Sequence, residues 1–338
     1  MRLQLCIVGC GNYARTVLGM LGDVSEDFGF YFASRDAQKA KAYCEEFGGI
    51  DYFGSYEEAA ADTRIEAMYF LTPHDLHLPN ARLAARHSKH ILMEKPIARS
   101  IPEAMALIDA ATEGGVRLMV AENYRFLPGV ARCKELIRQG AIGQIRILQL
   151  EYSTSDEVGP YPWRLSAERC GGGTFIDGGI HCVDLLVNVG GFPETVYASK
   201  PIRVLPEIEG EDSLVLMTRL PGGAIGTVIF SSATPVSEWR RRMHVTGTTG
   251  EIRFDQMNSE IHVAAGETSR VESVPAARQA YRSMFMEFKD SVAEDREPLM
   301  SGQEAINDLA VVLAAYESAD TGMQVPVQMP PIAGIVRR

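Results

Sequence analysis

Leu3-Gln4-Leu5-Cys6-Ile7-Val8 runs directly into Gly9-Cys10-Gly11-Asn12-Tyr13-Ala14. The apolar run reads as a buried strand, and Tyr13–Leu21 continues with helical periodicity. Between them lies a GxGxxA turn in the context that gives this pattern meaning. Gly9 permits the tight turn, Gly11 leaves room for a pyrophosphate against the backbone, and Ala14 is small enough for the helix to pack on the strand. The helix start, with Asn12 and Tyr13 in its loop, offers unpaired N–H groups and a partial positive charge to phosphates. The segment therefore reads as a dinucleotide site.

Outward from this turn the strand–helix rhythm persists. Phe28–Ala33, Ala67–Leu71, His90–Met93 and Leu118–Ala121 read as strands. Ala37–Phe47, Leu78–Arg86 and Ile101–Glu113 read as helices, closed by Gly48-Gly49 and Gly114-Gly115 where the chain shows them. This spacing predicts a parallel sheet with right-handed crossovers, a Rossmann domain over residues 1–122. Beyond it the rhythm changes. After a helix at Val130–Gln139 come strand candidates at Ile145–Ser153, Thr195–Val204, Ser213–Arg219, Ala224–Ser231, Met243–Thr246 and Glu251–Phe254, and a last helix at Glu304–Ala319. Pro221-Gly222-Gly223 and Thr248-Thr249-Gly250 read as hairpin turns with glycine at positive φ. Residues 123–338 are thus expected to form an α+β domain with a large, mostly antiparallel sheet, giving an α/β fold overall.

The 338 residues carry 33 Lys+Arg against 44 Asp+Glu, a net charge of −11. This balance argues against a nucleic-acid partner, which needs a basic face. No apolar run approaches the roughly 20 residues of a membrane span. With Leu3–Val8 already a strand, no signal peptide is expected, and the expected location is cytoplasmic. The six cysteines show no CxxC pair or zinc spacing and are expected to be free thiols. The basic run Arg240–Arg242 reads as a solvated strand edge.

Four further segments carry chemistry. Ser34-Arg35-Asp36 ends the second strand, where an acid would bind the ribose 2′-hydroxyl of NAD. A hydroxyl followed by a guanidinium suits the 2′-phosphate of NADP, with Asp36 on the ribose as the alternative. Glu94-Lys95-Pro96 follows the fourth strand at the carboxyl edge, where open sheets bind ligands, and Lys95 there could stabilise an alkoxide oxygen. Gly171-Gly172-Gly173 leads into Asp177 and His181, spaced i and i+4 on a helix, an arrangement fit for acid/base work. Asp184, one turn later, is read as orienting the imidazole or as a solvated acid. Trp163 and Arg164, at the end of the loop Gly159–Arg164, could line a sugar pocket. His74 and His77 have no Cys or carboxylate cluster to complete a metal site, so no metal is expected.

Taken in order, Gly9–Asn12, Thr72-Pro73 with His77, Glu94-Lys95-Pro96, Ala121–Phe126, Gly171–Gly173 through Asp177 and His181, and the turn at 246–251 resemble the glucose–fructose oxidoreductase/inositol dehydrogenase/rhizopine-catabolism (Gfo/Idh/MocA) family over nearly the whole chain. The resemblance implies an NAD(P)-dependent oxidoreductase that moves hydride to or from a sugar, polyol or related alcohol. It implies that Lys95 contacts the reacting hydroxyl and nicotinamide ribose, that Pro73 lies beside that ribose, and that Pro96 often follows a cis bond. Asp177 would bind substrate and His181 would be the base, with Tyr124 and Trp163 as further substrate contacts. Gly9, Gly11, Asn12, Tyr13, Ala14, Ser34, Arg35, Thr72, Pro73, His77, Glu94, Lys95 and Pro96 would hold NADP, with NAD possible. A homodimer or homotetramer through the second sheet is also implied. Family relatives that cleave glycosides with tightly held NAD, and a non-catalytic sensor on this fold, are the rival expectations. Ser88 stands where a glycine before Lys89-His90 is common, a departure read as a loop detail.

Overall fold

A computed structural model describes residues 2–155, 161–235, 241–256 and 259–330. The first elements are β1 (Leu3–Val8), α1 (Asn12–Leu21), β2 (Phe28–Ala33), α2 (Ala37–Glu46), β3 (Asp51–Phe53), α3 (Tyr56–Ala61), β4 (Ala67–Phe70), α4 (His77–Arg86), β5 (His90–Glu94), α5 (Ile101–Glu113) and β6 (Leu118–Ala121). Then come α6 (Pro128–Arg138), β7 (Ile145–Ser153), α7 (Pro162–Leu165), α8 (Ala167–Cys170), a π-helical turn at Phe175–Gly179 and α9 (Ile180–Gly190). The remainder is β8 (Thr195–Ser199), β9 (Ser213–Arg219), β10 (Ile225–Ser231), β11 (Arg241–Gly247), β12 (Gly250–Asp255), β13 (Glu260–Ala265), β14 (Thr268–Ser273), α10 (Gln279–Ala293), α11 (Gly302–Thr321) and β15 (Val325–Pro326). The chain divides into two compact units: Met1–Glu122 with Tyr281–Ile306, and Asn123–Ala280 with Asn307–Arg338.

In the first unit six parallel strands run in the order β3-β2-β1-β4-β5-β6. The order reverses between β1 and β4, and the loops at that switch point carry the dinucleotide turn and Thr72-Pro73. Helices on both faces explain why the strands read as continuous apolar runs rather than alternating ones. Leu5, Ile7, Val8, Phe70 and Leu92 are wholly buried, each worth about 1.5–3 kcal/mol on transfer from water. β3 and α3 escaped the sequence pattern because three residues, Asp51-Tyr52-Phe53, show no period. Residues from the far end of the chain complete the unit: Phe285 sets its ring edge-on against Phe28 and Tyr69, at 5.7 and 5.4 Å, and Met300 accepts the Val120 N–H at 2.9 Å. Ser88 adopts φ +54°, a left-handed conformation that suits glycine. The departure noted in the sequence is thus a strained position rather than a neutral loop detail.

The second unit contains a nine-stranded sheet, β14-β13-β12-β11-β7-β10-β9-β8-β15. It is mixed, since β7 and β10 are parallel while the other neighbours pair antiparallel. One face is apolar and covered: Phe230 stacks on Tyr152 and meets Phe175 edge-on. Several expectations change here. The strand at Thr195 ends at Ser199, because Lys200-Pro201 follows and proline cannot donate to a ladder. Gly250 does not need positive φ; a Cβ there would meet the Ala264 carbonyl at 2.3 Å. Arg241 and Arg242 lie on β11, an interior strand, rather than on a solvated edge; Arg242 pairs with Glu151 at 2.9 Å and Arg241 lies over the Tyr152 ring at 4.8 Å. Arg240, Gly159 and Pro160 lie outside the described residues. All six cysteines are free thiols.

Candidate functional site

The dinucleotide turn has the geometry its sequence calls for. Gly9 adopts φ +102°, and a Cβ there would meet the Leu71 carbonyl at 2.5 Å. Gly11 caps the start of α1 with extended backbone, and a Cβ on it would meet nothing within 4 Å. Its missing side chain therefore serves no packing need of the protein and leaves the space in front of the α1 N-terminus clear, as a pyrophosphate requires. Ala14 is buried against the sheet, while Asn12 and Tyr13 are exposed. At the end of β2 the Ser34 hydroxyl accepts the Asp36 N–H at 3.2 Å. The Asp36 carboxylate accepts the N–H groups of Gln38 and Lys39 at 3.0 and 3.3 Å, so it serves as the N-cap of α2. The parallel register sets Ala33 opposite Phe53, which brings Arg35 toward the start of α3. There the Arg35 charge faces the Tyr56 hydroxyl and opposes the upward push that burial gives its pKa.

The next two loops are tied together beneath the surface. His77 is wholly buried, with Nδ1 2.9 Å from the Pro96 carbonyl and Nε2 3.1 Å from the Thr72 carbonyl. Burial, with His74 alongside, drives its pKa down to about 3; the neutral imidazole carries one N–H, so it donates to one of these two carbonyls while its ring fills the space between the loops after β4 and β5. Asn80 donates to the Thr72 hydroxyl at 2.9 Å. The Lys95–Pro96 bond is cis. Thr72 and Pro96 are buried, and Pro73 and Lys95 are partly exposed.

Glu94 is the group in this unit that the sequence did not flag as unusual. It is buried and accepts a hydrogen bond from the Tyr69 hydroxyl. Burial raises its pKa to about 7; Lys95 and Tyr69 pull it down and Glu122 pushes it up. The hydroxyl of Tyr13, whose ring is part-exposed, is hydrogen-bonded to that of Tyr281 close to Glu94 and Tyr69. The linkage sign follows. Below the ordinary carboxyl pKa neither folded nor unfolded chain is charged at this position. As pH rises toward 7 the unfolded chain ionises while Glu94 keeps its proton, so the group costs stability increasingly and the cost levels off above about pH 7. Glu94→Gln retains the acceptor for Tyr69. Between pH 4 and pH 8 it should gain about 3 kcal/mol relative to the native protein, read as diverging urea midpoints of the cofactor-free forms. Midpoints that keep a constant gap across that range would refute the assignment.

In the second unit, the glycine-rich segment winds into a π-turn and then α9, so Asp177 and His181 sit about one turn apart. A π-turn inside a helix frequently marks a functional position. Its glycines answer a packing need: a Cβ on Gly173 would meet the Glu211 backbone at 2.1 Å. The buried Glu211 carboxylate takes the N–H groups of Gly173 and Phe175 at 3.1 and 2.9 Å and the Tyr316 hydroxyl at 2.8 Å. His181 lies face to face with the Tyr124 ring, centroids 4.2 Å apart and 12° between planes. Asp177 is ion-paired with Arg164 at 2.6 Å. Trp163 and Arg164 occupy the short helix α7 rather than an irregular loop. Asp184 is not a solvated acid; it is wholly buried and paired with Arg125 at 2.6 Å. Lys95 belongs to the first unit, and Asp177, His181, Tyr124 and Trp163 to the second. Sequence reasoning named Arg164 as a pocket-lining candidate but not as the partner of Asp177, and missed Glu211, Tyr316 and Tyr69, because each meets its target across a separation no local pattern records.

Comparison with known proteins agrees with this geometry. A family model described as an oxidoreductase family NAD-binding Rossmann fold matches residues 3–122, and the GFO/IDH/MocA C-terminal domain matches residues 130–253. The trans-1,2-dihydrobenzene-1,2-diol dehydrogenase of Mus musculus is 30% identical, over 76% of this chain and 76% of its own. The D-xylose 1-dehydrogenase (NADP(+)) 2 of Haloferax volcanii is 29% identical, over 87% of this chain and 90% of its own. The crystal structure of an oxidoreductase from Agrobacterium radiobacter in complex with NAD+, L-tartaric acid and magnesium superposes with a TM-score of 0.88 at 25% identity, covering 97% of this chain and 99% of that one. Among the described residues no helix is long and apolar enough to cross a membrane.

Proposed function

The chain belongs to the Gfo/Idh/MocA family of oxidoreductases, and from that premise we propose that it oxidises a secondary alcohol of a sugar, polyol or related diol, or reduces the matching ketone, with NADP as its preferred cofactor. The observation that carries the reading is the open dinucleotide turn at Gly11 in a chain that also holds Lys95, Asp177 and His181. The sequence contexts of Gly9–Ala14, Thr72-Pro73 and Glu94–Pro96 assign these loops to the cofactor, with His77 bracing them from below. When bound, the nicotinamide supplies the acceptor or donor of hydride. His181 supplies the acid/base group of the second unit, moving the proton at a substrate hydroxyl oxygen, and Lys95 supplies the cation of the first unit. Asp177 holds a neighbouring hydroxyl, with Tyr124 and Trp163 as apolar walls.

The cofactor preference rests on Ser34 and Arg35, with Asp36 engaged as a helix cap. Arg35→Ala should weaken NADP binding by about 1.5–3 kcal/mol, the value of a hydrogen bond to a charged group, and leave NAD little changed. Titration calorimetry with both cofactors checks this, and equal losses would overturn it. The reaction itself is tested by a scan of sugars, polyols and keto-sugars with each cofactor, following absorbance of the reduced nicotinamide. Release of sugar from glycosides with no net reduction would instead establish the hydrolytic alternative.

The outer face of the second sheet fits a homo-oligomer. Tyr197, Met217, Val215, Ile229 and Ile147 are 38–50% exposed, and Tyr197 pairs across strands with Met217 and Val215 with Ile229. A contiguous apolar face of this kind is unusual on a monomer. Met217→Lys should shift the sedimentation coefficient toward that of a single chain at equal concentration; an unchanged value would remove this face from the assembly.

A further inference from the structure

The helical segment that carries Asp177 and His181 is held at its start from outside. The first N–H groups of a helix have no acceptor within it, and Thr174 at the N-cap position supplies no side-chain cap. Four successive donors are nonetheless satisfied by two residues from distant segments. The Gly173 and Phe175 N–H groups donate to the Glu211 carboxylate at 3.1 and 2.9 Å, and the Thr174 N–H donates to the Glu211 main-chain carbonyl at 2.8 Å. The Ile176 N–H donates to the Tyr316 hydroxyl at 3.0 Å, and that hydroxyl donates to the same carboxylate at 2.8 Å. Glu211 precedes β9 and Tyr316 lies on α11, both in the second unit with the helix itself. Glycines let these backbones close: a Cβ on Gly172 would meet the Tyr316 hydroxyl at 2.6 Å, and one on Gly210 would meet the Gly173 Cα at 2.4 Å. Glu211 is thus a remote N-cap, its negative charge set at the positive end of the helix dipole.

A π-turn closes i→i+5 bonds in place of i→i+4 bonds and is rare. Rewinding it as α-helix would release one residue and rotate the chain before it by roughly 100° relative to α9. Asp177 lies inside the turn and His181 just past it, so the placement of one relative to the other depends on the turn being kept. We propose that Glu211, with Tyr316, is the positioning residue that keeps the π-turn in register and so presents Asp177 and His181 as a set, a role that rests on the reading of those two residues given above. Its contacts run to backbone N–H groups and to Tyr316, so it acts through the turn and not on the substrate.

The test uses two variants. Glu211→Gln keeps the size and one acceptor but sets an NH₂ group against the Gly173 or the Phe175 N–H. Tyr316→Phe removes the hydroxyl that bridges Ile176 and Glu211. Turnover is measured with NADP and NAD on the sugar, polyol or keto-sugar of highest rate in the scan, and normalised to the dinucleotide-binding fraction of each preparation. Glu211→Gln should lower kcat about 100-fold, the cost of roughly an ångström of misplacement at the reacting groups, with cofactor affinity unchanged. Tyr316→Phe should lower it less. In a His181→Ala background, Glu211→Gln should cost close to nothing further in single-turnover rate, because the group it positions is gone. A general supporting role in the fold would lower both backgrounds alike. Hydrogen exchange read by mass spectrometry needs no substrate: residues 173–181 should exchange slowly in the native protein and fast in Glu211→Gln, with the peptides of the first unit unchanged. Native kcat in folded Glu211→Gln, a loss repeated in full without His181, or unchanged exchange at 173–181 overturns the proposal. If Glu211→Gln does not fold, Tyr316→Phe decides by the same criteria. No turnover of any compound in the scan, or native turnover by His181→Ala alone, would overturn the reading of the reaction instead, and the exchange measurement would still decide whether Glu211 holds the turn.

Discussion

His181→Ala should cut turnover by about 10²–10⁴-fold, the usual contribution of a general acid–base group, with cofactor affinity preserved. The reasoning is local to the second unit. His181 lies in the first turn of α9, is largely buried, and has its ring plane set by the stacked Tyr124 ring. An imidazole held by a face-to-face neighbour keeps its edge, with both nitrogens, directed rather than swinging, which is what proton transfer at a fixed oxygen requires. Removing the ring removes the proton acceptor but none of the groups of the first unit that hold the dinucleotide. Single-turnover absorbance of the reduced nicotinamide, alongside a cofactor titration, separates the two effects. Near-native turnover on the substrate found by the scan would show the assignment to be wrong and shift attention to Tyr124. A parallel loss of cofactor affinity would point to a structural role.

Gly11→Val should abolish dinucleotide binding in a protein that remains as stable as the native one. The two glycines of the turn differ in what a side chain would meet. At Gly9 a Cβ would run into the Leu71 carbonyl from a backbone at φ +102°, so substitution there damages the fold itself. At Gly11 the backbone is extended, at φ −113°, and the space is open, so a valine is tolerated by the chain. Its only cost falls on whatever must approach the α1 N-terminus. Losing two hydrogen bonds to a charged pyrophosphate, at about 1.5–3 kcal/mol each, corresponds to a loss of roughly 10²-fold or more in affinity. Calorimetry for binding and a urea midpoint for stability read the two quantities independently. A valine variant that binds NADP with native affinity would dissociate this turn from the cofactor, and one that unfolds would place Gly11 in the packing instead.

The sequence by itself determined the parts that depend on short-range pattern. The run Leu3–Val8 followed by a glycine turn dictated a strand, a tight reversal and a helix, because apolar period and glycine conformational freedom act within a dozen residues. The same reasoning placed Lys95 at a strand end and Asp177 and His181 a turn apart, and singled out Ser34-Arg35 as the candidate pair for cofactor choice. Short or polar elements were not legible: β3 has three residues, and β14 is almost wholly exposed, so neither has a hydrophobic period to read. Tertiary structure alone decided the partners. Nothing in Tyr281–Ile306 announces that Phe285 will pack against Tyr69 and Phe28 in the first unit, or that Arg164 will pair with Asp177. The same holds for the proton on Glu94. In the sequence Glu94 stands only as one residue of the Glu94-Lys95-Pro96 strand end. Its exclusion from water by Tyr69 and its surroundings, which raises its pKa to about 7, exists only once distant segments have closed over it, because desolvation is a property of the enclosure and not of the residue.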